Sequence, residues 1–219
     1  MQYTQVTRQR KPDFLKVVDT PINSDNRNDI EILQVKQITS TGLIRFLEEK
    51  NISLPTARKY LTEIEYRVWN TKICDYRIYH SLGFKNDLLG YELSNKFYRG
   101  TTFRHFTTIA GRDHSQLNIF AGVFEFLSAL ELSKTTELKY DSLILNNLDL
   151  KIKTLHLVKS YKKINLFLNH STEGIEAVNF YRTFHDRVRD FSIYLYPFPY
   201  LDLNDYLIKT CREKNSKIL

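Results

Sequence analysis

An apolar run that ends abruptly in small polar residues marks the position in this sequence where chemistry would first be sought. Residues 164–168 have the pattern of a buried strand, and Asn169 and Ser171 follow before a helix-like segment that contains Gly174. Ligands of α/β proteins bind beyond the carboxyl ends of such strands, and an acid pair placed there can hold a metal ion. Here the two positions hold neutral side chains, so the loop has either lost that chemistry or never had it.

A second stretch, residues 94–106, interleaves cations with aromatic rings. Its cations are Lys96, Arg99, Arg104 and His105, and its rings are Phe97, Tyr98, Phe103 and Phe106. Cations meet phosphates and rings stack on bases, so this composition suits a single-stranded nucleic acid, with Lys85 and Asn86 in the preceding turn. An edge strand whose rings face the core and whose charges face water would have the same composition.

Familiar catalytic and phosphate-binding motifs are missing from the sequence. No Gly-x-Gly-x-x-Gly loop, Walker-type loop or Gly-x-Ser-x-Gly elbow is present, and His170 has no evident acid partner. The two cysteines, Cys74 and Cys211, lack the spacing of a zinc site, so we expect ordinary thiols.

The chain is basic. Its 219 residues include 32 Lys and Arg against 25 Asp and Glu, a formal net charge of +7. The excess is consistent with an anionic partner and equally with a basic, well-solvated surface. No apolar run approaches the roughly 18 residues that a bilayer span needs. The start has no apolar signal segment, so we expect a cytoplasmic protein without a membrane partner.

Two patterns of elements would position these residues. After a polar N-terminal extension, residues 1–30, the segment 31–112 shows two short helices and then alternating, aromatic-rich strands, which predicts an α+β subdomain. From residue 113 to 219 strands alternate with helices, which predicts an α/β domain with a mostly parallel sheet flanked by helices. Its predicted strands are 117–120, 141–147, 164–168 and 191–196, and its predicted helices are 124–133, 150–161, 172–186 and 203–214.

The order of four stretches resembles a known family. "SLGFKNDLLGYELSNKFYRGTT", "LNIFAGVFEFLSAL", "INLFLNHSTEGIEAV" and "LDLNDYL" follow one another as in the Toprim-containing part of bacterial-type DNA primases. The resemblance covers roughly residues 31–210 and is strongest to primase-like proteins from mobile elements of Bacteroidetes-type genomes. It implies a Toprim-like fold. The family's usual upstream zinc-binding module and downstream helicase domain have no counterpart here, and we expect neither.

The resemblance also implies which acids should do the chemistry. The family's Phe-Glu-Gly becomes Phe-Ala-Gly, so Ala121 replaces the catalytic or metal-binding Glu. The family's Asp-x-Asp, whose carboxylates hold magnesium, becomes Asn169 and Ser171, while the turn glycines Gly122 and Gly174 and the later 202–205 run match. Mg²⁺ requires oxygen ligands with carboxylates among them, so we expect no catalytic residue and no metal or other cofactor. A rearranged acid site that binds Mg²⁺ is the alternative, with Glu125, Glu173 and Asp202 as its candidates.

Three functions follow from these observations. The first is a catalytically inactive primase-fold protein that binds single-stranded DNA or RNA through Lys85, Asn86, Lys96, Arg99 and Arg104. The second is a protein-interaction subunit of a mobile-element or phage-defence complex, partnered by a nuclease, helicase or primase, with the aromatic segment 194–201 as a docking surface. The third is a metal-dependent primase or nuclease that uses the rearranged acids.

Overall fold

A computed structural model of the protein describes residues 30–216, so the polar N-terminal extension, all but its last residue, lies outside the described residues. The helices are α1 (Thr41–Glu49), α2 (Leu54–Tyr60), α3 (Val123–Leu132), α4 (Leu155–Val158), α5 (Thr172–Phe184) and α6 (Leu203–Ser216). The strands are β1 (Glu31–Lys36), β2 (Leu61–Asn70), β3 (Asp75–Lys85), β4 (Tyr91–Ser94), β5 (Arg99–Thr101), β6 (Thr107–Ile109), β7 (Asp113–Phe120), β8 (Tyr140–Ile144), β9 (Lys163–Phe167) and β10 (Val188–Asp190). None of the helices in this part of the chain combines the length and apolarity of a bilayer span.

The first five strands form an antiparallel sheet in the order β1-β2-β3-β4-β5. Glu63 in β2 joins this sheet to α1, because its buried carboxylate accepts the backbone N–H groups of Thr39 and Ser40, both at 2.9 Å. Burial alone would raise the pKa of Glu63, but these two donors and the Lys36 ammonium outweigh it and lower that pKa below its ordinary value. A charged side chain therefore stabilises the start of the first helix.

The last five strands form a second sheet in the order β10-β9-β7-β8-β6, in which all neighbours are parallel except β6 and β8. The chain passes from the central β7 to β8 on one side and then crosses to β9 on the other. The carboxyl ends of β7 and β9 therefore flank the point where the strand order reverses, which is where ligands bind in open parallel sheets. Two sheets, one of them largely parallel, give the α/β, Toprim-like class predicted from the sequence.

The two sheets share one apolar core. Side chains from α1 and α2, such as Leu47 and Ala57, pack with Phe126 and Leu130 of α3 and with residues of α6. Tyr60 meets Phe126 edge-on, with ring centroids 4.9 Å apart. A second core lies under α5, where Ile119, Leu166 and Ala177 are completely buried. The shared core fixes the antiparallel sheet beside the carboxyl ends of the parallel one.

Two predicted elements are wrong. The fourth parallel strand is Val188–Asp190, whereas the predicted strand 191–196 is a series of turns. Ser192 explains the break, because its N–H and hydroxyl both bond to the buried Asp190 carboxylate and end the strand. The predicted helix 150–161 is a 3-10 helix, Leu148–Thr154, followed by the single turn of α4.

Candidate functional site

The carboxyl end of β7 leads straight into α3 through Ala121 and Gly122. Ala121 is buried and offers no ligand atom. Glu125, in the first turn of α3, folds back over Gly122, so that a Cβ at position 122 would stand 3.0 Å from its Oε2. Its carboxylate also accepts its own backbone N–H. Glu125 therefore serves as a helix-terminal acid, as its first-turn position indicates.

The carboxyl end of β9 uses its polar side chains to start α5. Ser171 donates its hydroxyl to Asn169 Oδ1 at 2.9 Å and accepts the Gly174 N–H at 3.1 Å. This is an N-cap, and it employs both residues that stand at the family's Asp-x-Asp positions. Glu173 is exposed, and its pKa is lowered by its own backbone N–H and by the Ser171 hydroxyl.

Of the three candidate acids, the structure brings Glu125 and Asp202 together. Burial raises the pKa of Glu125 to about 7, with the Asp202 charge adding to the effect and Arg99 and Lys50 opposing it. Asp202 caps α6 by accepting the Asp205 N–H at 2.8 Å. The pair thus lies where three elements meet: β5, the end of α1 and the start of α6.

This pair does not fit the two-metal chemistry that the fold family implies. Among residues 30–216, no three Asp, Glu, His or Cys side chains converge as a metal would need. Two-metal phosphoryl transfer uses several carboxylates, whereas Ala121, Asn169 and Ser171 supply no charge. Asp202 is already engaged as a cap, so the described residues give no basis for a step through a metal ion.

Four of the five predicted nucleic-acid-binding residues are exposed and lie on or next to the β4–β5 hairpin. Together with Phe97 they form a surface that we call the basic strip: Lys85, Lys96, Phe97, Arg99 and Arg104. The Arg99 charge acts to lower the pKa of Glu125, and Lys96 Nζ lies 2.7 Å from Glu49 Oε1 at the end of α1. The strip therefore runs from the turn between β4 and β5 to the loop after β5 and the end of β3, beside the carboxyl ends of the parallel strands.

The aromatic rings of residues 94–106 divide between surface and core. Phe97 is 91% exposed and Phe103 is 36% exposed. Tyr98 and Phe106 instead pack on buried residues of two separate clusters. Asn95 holds the turn rigid, because its Oδ1 accepts the N–H groups of Phe97 and Tyr98, each at 2.9 Å. The stretch is thus in part the edge strand of the second interpretation, and the exposed rings leave the nucleic-acid interpretation as a prediction.

Asn86, the fifth predicted contact, is inside the molecule. Its side chain is 4% exposed and fastens the loop before β4. The amide donates to the Phe103 carbonyl at 2.6 Å, and its oxygen accepts the Gly90 N–H at 2.9 Å and the Leu88 N–H at 3.2 Å. The assignment of Asn86 as a surface contact needs correction, because its side-chain nitrogen and oxygen are both engaged in hydrogen bonds to the backbone of the loop.

Asn86→Ala should therefore lower stability rather than remove a binding contact. The loss of these bonds in a buried turn is expected to cost about 2 kcal/mol of unfolding free energy. Lys85→Ala, at the neighbouring exposed position, is the matched control and should change stability by less than about 0.5 kcal/mol. Urea denaturation of both variants measures this, and equal stabilities would contradict the role given to Asn86.

Sequence reasoning missed two charged residues of this region. Lys50 follows α1, lies 5.5 Å from the Phe124 ring centroid and faces Glu125. Glu92 accepts the Thr101 hydroxyl at 2.9 Å, and burial raises its pKa to about 7 despite the opposing effects of Thr101, Asn86 and Arg104. The sequence "EEK" at the end of the first helix indicates that Lys50 is a cation at a helix terminus, but it does not indicate that Lys50 lies near Glu125. Nothing in the sequence marks Glu92 as partly buried.

Comparisons with known proteins agree with this architecture. A family model described as a domain of unknown function (DUF8464) matches residues 32–103. No curated protein matches the chain. The crystal structure of the primase fragment of the bacteriophage T7 primase-helicase protein superposes with a TM-score of 0.52 at 15% identity, covering 85% of this chain and 80% of that one.

A second T7 structure gives the same result. In it, lagging-strand DNA polymerase interacts with primase domains of two gp4 subunits bound to an RNA/DNA hybrid and dTTP. The matched chain has a TM-score of 0.51 at 12% identity, with 87% of this chain and 91% of that one covered. At these identities the likeness establishes the fold alone. The protein has a primase-like fold.

Proposed function

We propose that this protein binds single-stranded nucleic acid across the basic strip and does so without catalysing phosphoryl transfer. The observation that carries the proposal is the grouping of Lys96, Phe97 and Arg99 beside strand ends that have lost their acids. With Ala121 in place of a carboxylate, these strand ends carry less negative charge than the family pattern would give them.

The chemistry of binding divides between charge and stacking. The exposed Arg99 and Lys96 would meet phosphates and release the ions condensed on them, which makes affinity fall as salt rises. The exposed Phe97 ring would stack on a base, an interaction that every base can make. Such a surface favours single strands over duplexes, because duplex bases have no free face.

A salt titration tests the proposal. We expect fluorescence anisotropy with labelled dT and U oligonucleotides to give a log affinity that falls linearly with log salt. Affinity independent of salt, or no affinity, would contradict the proposal. A parallel assay for Mg²⁺- or Mn²⁺-dependent oligonucleotide synthesis and nicking should show no product. Activity lost in Glu125→Gln would instead support the rearranged acid site.

The pH dependence of binding follows from Glu125. Since burial, with the Asp202 charge, raises its pKa to about 7, its carboxyl is neutral below that pH and charged above it. One charge about 7 Å from a phosphate is worth roughly 0.6 kcal/mol if water fills the space between them, and more through a partly buried path. Affinity should therefore fall at least about threefold as pH rises from about 6 to 8.

Glu125→Gln should flatten that profile while the wild type retains it. Glu137→Gln is the control: the Lys59 ammonium lowers the pKa of Glu137, so this acid does not titrate in that range and its loss should leave the profile unchanged. Any histidine contribution persists in both variants. Identical profiles in wild type and Glu125→Gln would refute the assignment.

A protein partner is the second candidate function, and the outer half of the β2–β3 hairpin favours it. Trp69, Ile73 and Ile78 are all more than 40% exposed there. A partner nuclease, helicase or primase would cover them. Size-exclusion chromatography with the products of neighbouring genes tests this candidate, which predicts a discrete complex in the absence of nucleic acid.

A further inference from the structure

The segment 191–202, which ends at Asp202, is held rigidly beside the carboxyl ends of β7 and β9. Phe191 stacks on Phe167, and Phe167 stacks on Phe120, with ring centroids 4.8 Å apart in each pair. Tyr196 is completely buried and donates its hydroxyl to the Leu168 carbonyl at 2.9 Å. The anchors therefore reach the strand ends of β7 and β9.

His170 adds two further ties. Its ring Nε2 lies 2.9 Å from the Tyr196 carbonyl oxygen, and its backbone N–H donates to the Leu201 carbonyl at 2.9 Å. The Leu201 N–H in turn donates to Asp205 Oδ2 at 3.0 Å. The sequence showed no acid partner for His170, and in the structure its partners are two backbone carbonyls, which fasten the segment to the end of β9.

This rigid segment nevertheless presents large apolar side chains to solvent. Phe198 is 84% exposed and Tyr194 is 75% exposed, with Leu201 and Ile193 beside them in sequence. A fixed loop has already lost its conformational entropy on folding, so rings that it holds in water are preorganised for a ligand.

The charges around the segment indicate which ligand. Residues 191–201 contain no charged side chain. The nearby carboxylates are engaged: Asp190 is buried and lies 3.6 Å from an Arg182 nitrogen, and Asp202 caps α6. The end of α1 connects the basic strip to the start of α6, because Lys96 Nζ lies 2.7 Å from Glu49 Oε1 and the Asn204 amide donates to the Lys50 carbonyl at 2.9 Å. A chain of phosphates held by the strip would thus meet flat rings on a segment that carries no acid of its own.

We infer that the segment 191–202 is a base-stacking platform, on which Phe198 and Tyr194 receive unpaired bases of the single strand whose phosphates the basic strip holds. The inference rests on the proposed function and adds a second wall to the site. Phe97 and Phe198 would then contact different nucleotides of one strand.

The test separates bases from phosphates. Wild-type protein and Phe198→Ala are titrated with a dT oligonucleotide and with an abasic oligomer of the same length and charge. We expect the wild type to prefer dT, and Phe198→Ala to lose at least about fivefold in affinity for dT with unchanged affinity for the abasic oligomer and unchanged salt slope. Phe198→Trp keeps an aromatic ring at this position, so it should bind dT like the wild type. The fluorescence of the introduced tryptophan should be quenched by dT and not by the abasic oligomer.

Phe184→Ala, which removes a half-exposed ring at the far end of α5, is the matched control and should bind like wild type. Thermal melting checks that each variant is folded. Salt-sensitive binding that is equal for both oligomers and unaffected by Phe198→Ala would overturn the platform while leaving the proposed function intact. No binding by the wild type would overturn both. A protein complex that Phe198→Ala disrupts, with dT binding unchanged, would assign the segment to protein docking and also overturn the platform.

Discussion

Lys96→Glu combined with Arg99→Glu is expected to weaken the binding of a single-stranded oligonucleotide at least about tenfold at about 0.1 M salt. Each side chain is exposed, and the two flank Phe97 in the most open part of the basic strip. Reversal removes two phosphate contacts and places two repulsive charges beside the strand. The slope of log affinity against log salt should fall by about 1.4, since each phosphate contact on a single strand contributes about 0.7.

A control variant with the same change in net charge separates the effect of the position of the two residues from the effect of the total charge of the protein. Lys159→Glu combined with Lys162→Glu alters two exposed lysines at the amino end of β9, whereas the site lies at the carboxyl ends of the parallel strands. This variant should keep the wild-type salt slope and lose affinity only slightly. If both double variants weaken binding equally, the basic strip has no special role and the net charge of the whole molecule accounts for binding.

The largest expected effect on stability comes from Gly174→Ala, at least about 2 kcal/mol of unfolding free energy. A Cβ at this position would collide with the backbone carbonyl and the side-chain oxygen of Asn169. The backbone cannot yield without undoing the Ser171 cap on α5. Gly174 is needed for this close approach rather than for its backbone angles, since its φ is not positive.

Gly42→Ala is the matched substitution with the opposite sign. Gly42 lies in α1, and its added Cβ would meet only Ser40 Oγ, at an ordinary 3.8 Å. Alanine in a helix is favoured over glycine by roughly 0.5–1 kcal/mol, so this variant should be slightly stabilised. Chemical denaturation compares the two. A Gly174→Ala protein as stable as wild type would show that the β9–α5 loop has room to relax.

Elements with a clear hydrophobic period were predictable from the sequence. The run around Ile119 and the run from Ile164 to Leu168 correspond to β7 and β9. A strand that is buried on both faces appears in the sequence as a short, nearly continuous apolar run, and both stretches have that pattern. β1 and β10 were not predicted. β10 has three residues and β1 is an exposed edge, so neither carries a period long enough to detect.

The site was predictable only in part, for a physical reason. The exposure of Lys96 and Arg99 was predictable from local composition, because a stretch that interleaves charged residues with aromatic rings exposes some of both to water. The meeting of Glu125 with Asp202 depends on packing between distant helices, and no local pattern reports it. The burial of Asn86 was hidden because an amide in a turn looks the same in sequence whether it bonds to a backbone or to a ligand.

The apolar core that the two sheets have in common limits how this chain can be reused. A cut between β5 and β6 would leave Leu47 and Ala57 on one fragment and Phe126 and Leu130 on the other, each without the surface that covers it. Neither fragment should be expected to behave as a transplantable module, and a fusion partner or a tag belongs at an end of the chain rather than at that junction. Gene rearrangement would face the same restriction: this protein can be inherited or exchanged as a whole more readily than in halves.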